Sequence, residues 1–173
     1  MNLIKNGIAE IETKSNEIVF NEKKCKRLAL RMTSILDFIT TRSINLPQTA
    51  LSSLGICCKK IGLLFDKYVL FDRNLALELL ANGTDVSSFS AINSRIKNVV
   101  VSLKCEADLN IFNGQDDYTD QSNDIAFLIS KKNMIVNYAM QGQPPEKKQE
   151  YQDQFIAMLT IEQTQQGNLT RVY

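Results

Sequence analysis

The sequence predicts an all-α fold, a four-helix bundle followed by one or two brace-like helices. Three observations lead there. Apolar residues recur at steps of three and four through nearly the whole chain, the period that lines one face of a helix. Seven Gly and three Pro in 173 residues are too few for the turns of a sandwich or barrel. Hydrophobic residues at 44% and charged residues at 23% are close to the average of soluble globular proteins, and the length suits one domain with a real core.

The first helix carries Ile4, Ile8, Ile11 and Ile18 on one stripe, with Ser15 in the missing place. The second carries Cys25, Leu28, Met32, Ile35 and Ile39. Residues 40–47 read as a loop, with Pro47 placed to open the third helix. That helix carries Leu51, Leu54, Cys58, Ile61, Phe65 and Tyr68. A short linking helix fits between Asp72 and Leu80, and residues 82–85 break it. Ser87 or Ser88 is placed to cap a fourth long helix starting near Phe89 and carrying Ile92, Ile96, Val99 and Leu103. Four such stripes are buried by packing against each other.

Residues 113–122 are polar and acidic and read as a linker. Beyond them Ile125, Leu128 and Ile135 carry a fifth stripe, which Lys132 interrupts. Residues 142–145 stop that helix. Pro144 or Pro145 starts a sixth, with Tyr151, Phe155, Met158 and Leu159 as its apolar side. The expected division is a bundle over 1–112, an acidic linker over 113–122 and brace-like helices over 123–173, lying on the bundle.

Composition narrows the chemistry. The chain has no His, which removes Ser-His and Cys-His catalysis and most zinc sites. Cys25, Cys57, Cys58 and Cys105 contain no C-x-x-C pair and read as reduced thiols of a cytosolic protein. Asp116, Asp117, Asp120 and Asp124 lack the spacing of a calcium loop and read as solvated. Gly-rich phosphate loops are absent. No catalytic residue, metal ligand or cofactor is assigned, and neither a nucleic acid nor a small-molecule substrate is expected as a partner. The first residues are not expected to form a signal peptide, and position 2 is not the Gly that N-myristoylation needs. No apolar run reaches the ~18 residues of a membrane span.

Charge is unevenly spread. Residues 1–104 hold 15 Lys+Arg and 9 Asp+Glu, a net +6, and residues 105–173 hold 5 and 10, a net −5. The split predicts either an anionic partner for the first part or attraction between the two. The sharpest local feature is Lys23, Lys24, Lys26, Arg27 and Arg31, interleaved with the buried stripe of the second helix. Such a face suits phosphate headgroups, at about 1 kcal/mol per residue near an anionic leaflet. Lys5 and Lys14 on the first helix extend it. A solvated, salt-bridged face is the plainer alternative.

Residues 21–32 (Asn21-Glu22-Lys23-Lys24-Cys25-Lys26-Arg27-Leu28-Ala29-Leu30-Arg31-Met32) resemble the second-helix motif of the N-terminal four-helix bundle in the mixed lineage kinase domain-like pseudokinase family. The stretch from Leu79-Leu80 through Phe89 and Asn93-Ser94-Arg95-Ile96 to Leu103 is similar to that family's entry into its last bundle helix. Asp124-Ile125-Ala126-Phe127-Leu128 resembles the start of its first brace helix. The resemblance implies a non-enzymatic adaptor or membrane-acting module of cell-death signalling, cytoplasmic and recruited to membranes. It implies anionic phospholipids or a signalling protein as partner, with self-association. Lys23, Lys24, Lys26, Arg27 and Arg31 would face lipid, supported by Lys5 and Lys14. Family bundles are often followed by a kinase or pseudokinase, of which this sequence holds no segment.

Overall fold

The computed structural model describes residues 1–105 and 110–172, with side chains through Gly167. It is all-helical, with no strand among the described residues. The helices are α1 (Asn2–Ser15), α2 (Glu22–Thr41), α3 (Gln48–Asp66), α4 (Arg73–Asn82), α5 (Val86–Ser102), α6 (Gly114–Ser130), α7 (Lys132–Ala139) and α8 (Lys148–Val172). A 3-10 turn, Pro145–Lys147, leads into α8.

α1 packs against α2 and α3, and α5 packs against the same two helices, so these four close a ring of contacts. The predicted stripes fill its interior. Ile4, Ile8 and Ile11 of α1, Cys25, Leu28, Met32, Ile35 and Ile39 of α2, and Phe89, Ile92, Ile96 and Val99 of α5 are all buried. In α3, Cys57 takes the buried place expected for Cys58, which is half-exposed. α4 follows its expected bounds closely. Asp72 caps it by accepting from Leu75 N at 2.8 Å, and Gly83 ends it at φ +55°.

Three expectations change. Residues 114–122 are not a linker but the first turns of α6. Asn113 accepts from Gln115 N at 2.9 Å, and Asp116 and Asp117 stand in the first turn, where the helix dipole favours them. α5 starts at Val86, not near Phe89, because Asp85 takes the left-handed conformation (φ +55°) and delivers the chain straight into the helix. Ser87 and Ser88 therefore lie in its first turn rather than at its cap. The fifth stripe is divided between α6 and α7 at Lys131.

The trailing helices add to one continuous core. α6 packs on α2, while α7 and α8 pack on α4 and on each other. Leu128, Ile135, Ala139, Phe155 and Met158 join the same apolar cluster as the stripes of α1, α2, α3 and α5.

Candidate functional site

The basic residues of α2 divide into two sets. Lys23 and Lys26 are exposed, Lys26 lying 2.5 Å from Glu22. Lys24, Arg27 and Arg31, spaced three and four apart, occupy one face, and α6 lies on that face in antiparallel register. Arg27 Nε donates to Asp120 Oδ2 at 2.8 Å, and its Nη1 stands 3.4 Å from Asp116. Arg31 Nη2 donates to Asp117 at 3.0 Å, Nη1 to Asn93 Oδ1 of α5 at 2.7 Å, and Nε to the Ile111 carbonyl at 3.1 Å. Arg31 is only 1% exposed. Such a cation is tolerated in the interior only when paired and hydrogen-bonded.

At the start of α2 the register ends on Asp124. Its carboxylate accepts from Lys23 N at 3.1 Å and Lys24 N at 3.0 Å. The cap residue of α2, Asn21, makes no side-chain cap bond of its own. A carboxylate from another helix thus supplies the missing acceptor. Asp124 is buried, and burial pushes its carboxyl up to about 6 against the pull of the two amides and the Lys24 charge.

Lys24 runs inward from here. Its ammonium donates to the Thr84 carbonyl and stands 4.4 Å from the centroid of Phe89. Burial lowers its pKa to about 8, against the opposing charges of Asp124 and Glu162. Thr84, in the turn between α4 and α5, is the centre of a buried polar network. Glu162 of α8 accepts from Thr84 N at 2.7 Å and from Thr84 Oγ1 at 2.5 Å. Gln121 Nε2 of α6 donates to Thr84 Oγ1 at 2.8 Å and to Glu162 Oε2 at 2.9 Å. A Cβ at Gly83 would overlap Glu162 Oε1 and stand 2.8 Å from Met158 Sδ, so this backbone approach requires glycine. Beside the network Tyr68 OH donates to Asp85 at 3.1 Å. Burial, and then Asp85, hold that phenol above its ordinary range.

Between α2, α5 and α6 a cleft of about 300 Å³ remains, lined by Lys24, Arg27, Arg31 and Lys97 with Phe89 and Phe112. The Arg31 guanidinium lies 4.5 Å over Phe112. Lys5 of α1 is exposed. Lys14 is drawn toward α3 by Asp66 at 2.7 Å and also meets Glu10 at 3.2 Å. The structure therefore gathers three of the seven sequence-predicted residues, Lys24, Arg27 and Arg31, and gathers them beneath carboxylates.

The charge split pointed to attraction between the two parts of the chain, but Asp117, Asp120, Asp124 and Glu162 were not singled out as the partners. The first three carried a usable signal, since their spacing of three and four mirrors that of Lys24, Arg27 and Arg31. Glu162 stands alone in a polar stretch and carried none. Among the described residues no group of His, Cys, Asp and Glu could hold a metal ion, and no helix is long and apolar enough to cross a membrane. In comparison with known proteins the chain matches no family model, no curated protein and no solved structure.

Proposed function

We propose that this chain is a non-enzymatic, membrane-associating signalling module that binds anionic phospholipids through the basic face of α2, with α6 covering that face in the closed form. The observation that supports this reading is the antiparallel register of Asp117, Asp120 and Asp124 against Arg31, Arg27 and the start of α2. Carboxylates and phosphates ask for the same donors, which are paired guanidinium N–H groups and free amides at a helix start. The aspartates of α6 stand where phosphates would stand.

The test is co-sedimentation with vesicles containing phosphatidylserine or phosphoinositide, at low and physiological salt, with dye leakage read in parallel. Asp117→Asn with Asp120→Asn is expected to raise binding several-fold over the parent chain, and Arg27→Glu added to that variant to remove the gain. Equal binding by parent and double variant overturns the reading. Leakage on binding marks a permeabilising module, and binding without leakage a targeting one.

A second reading, a protein-interaction and oligomerisation adaptor of a larger signalling protein, is favoured by α3. Ile56 and Leu63 are exposed one heptad apart, and Gly55 and Gly62 beside them leave open space at Cβ. Concentration-dependent mass without lipid is its mark.

A further inference from the structure

The exposed apolar residues are not scattered at the end of the molecule where α1 and α3 finish and α2 begins. The Lys14–Asp66 pair fixes the ends of α1 and α3 side by side. Val19 N donates to the Tyr68 carbonyl at 2.8 Å, which joins the α1–α2 loop to the α3–α4 loop. Phe20 lies 5.3 Å from Phe71, across the two loops, and 5.3 Å from Phe127 of α6. Around this aromatic base Leu70 is 68% exposed, Phe127 42% and Val19 37%. Three large apolar groups thus stand outward from two loops and one helix that are held together beneath them.

We infer that this end, Val19, Leu70 and Phe127, is a second membrane-contact surface that inserts into the interface of an anionic leaflet while α6 remains docked. The inference rests on the membrane reading for its class of partner, but its apolar contacts are separate from Lys24, Arg27 and Arg31 of the face proposed there.

Charge selects the partner. Lys131 holds its ammonium 5.4 Å from the Phe127 ring, and exposed Lys23 lies in the first turn of α2, whose amides bond Asp124 one turn before Phe127. Of the acids on or beside these loops and at the start of α2, Asp66 is paired with Lys14, Asp72 caps α4 and Glu22 is paired with Lys26, while Glu17 is exposed two residues before Val19. An aromatic ring and an aliphatic side chain with lysines at their margin match the order of a bilayer interface, apolar groups below and cations at headgroup depth.

The chain has no Trp, so one introduced indole reports alone. Leu70→Trp and Phe127→Trp in the full chain are mixed with vesicles of phosphatidylcholine, or of phosphatidylcholine with phosphatidylserine. The expected result is a blue shift and quenching by brominated lipid at both positions, only with phosphatidylserine and weakened by salt. Ile56→Trp on α3 is expected to stay unshifted. Leu70→Glu, with helicity unchanged by circular dichroism, is expected to lower vesicle binding about tenfold, the loss of one buried leucine.

No shift at 70 and 127 in a chain that sediments with vesicles overturns the inference and leaves the α2 reading intact. An equal shift at 56, or a shift that follows protein concentration without lipid, also overturns it. Failure of the parent chain to sediment overturns it as well, while the Asp117 and Asp120 variant still tests α2.

Discussion

At the scale of single residues, two buried carboxylates do similar work with different consequences. Glu162 accepts three hydrogen bonds, two from Thr84 and one from Gln121. Glu162→Ala strands all three donors in the interior and is expected to cost about 3 kcal/mol in chemical denaturation, with Glu162→Gln recovering part. Asp124 also caps a helix, yet burial raises its carboxyl from 3.8 to about 6. Between pH about 3.8 and 6 the folded chain therefore holds a proton there that the unfolded chain has released. Its contribution to stability is fully present below about 3.8 and is lost as pH rises through about 6. Lys24 runs the other way. Its pKa is lowered from 10.5 to about 8, so its contribution grows as pH rises from about 8 toward 10.5. The expected signature is a melting temperature of the parent that falls relative to Asp124→Asn between pH 4 and 6. Parallel pH profiles for the two proteins would contradict it.

At the scale of elements, α6 is held to α2 by contacts of unequal worth. Arg27 is partly solvated, with 26% of its side chain exposed, so its pair with Asp120 is worth about 1 kcal/mol. Arg31 is almost wholly enclosed, and Arg31→Ala is expected to cost about 3 kcal/mol because Asp117 and Asn93 lose their shared donor. A double-mutant cycle on Arg27 and Asp120, set beside one on Arg31 and Asp117, measures the difference. Equal coupling in the two cycles would show that burial does not grade the pairs. α6 also marks how far the sequence could be read. The apolar stripes of α1, α2 and α5 were legible because burial follows the helical period directly. The start of α6 was legible in principle, through Asn113 followed by acids. Its run of aspartates suggested water instead, since a charged stripe looks the same whether it faces solvent or a complementary helix. The three cations that meet α6 were legible only within a run of five, and the first turns of the helix they meet were read as linker. Glu162 was beyond reach, because its partner is a backbone amide and a hydroxyl on a turn 78 residues away.

At the scale of the whole molecule, the +6 and −5 parts of the chain meet where α6 packs on α2 and where α7 and α8 pack on α4, and the apolar core runs through both. α1, α2, α3 and α5 and the trailing helices are therefore expected to unfold in one transition, with coincident curves by circular dichroism and by a Trp placed in α8. Separate transitions would show that the trailing helices are an appendage. The cap on α2 has a consequence in time. Asp124 follows the Lys24 amide by 100 residues. A ribosome adding roughly 5–20 residues per second needs about 5–20 s to make that stretch. Until then the first turn of α2 waits with open amides, so the nascent chain keeps an anion-seeking helix start that the finished protein has closed.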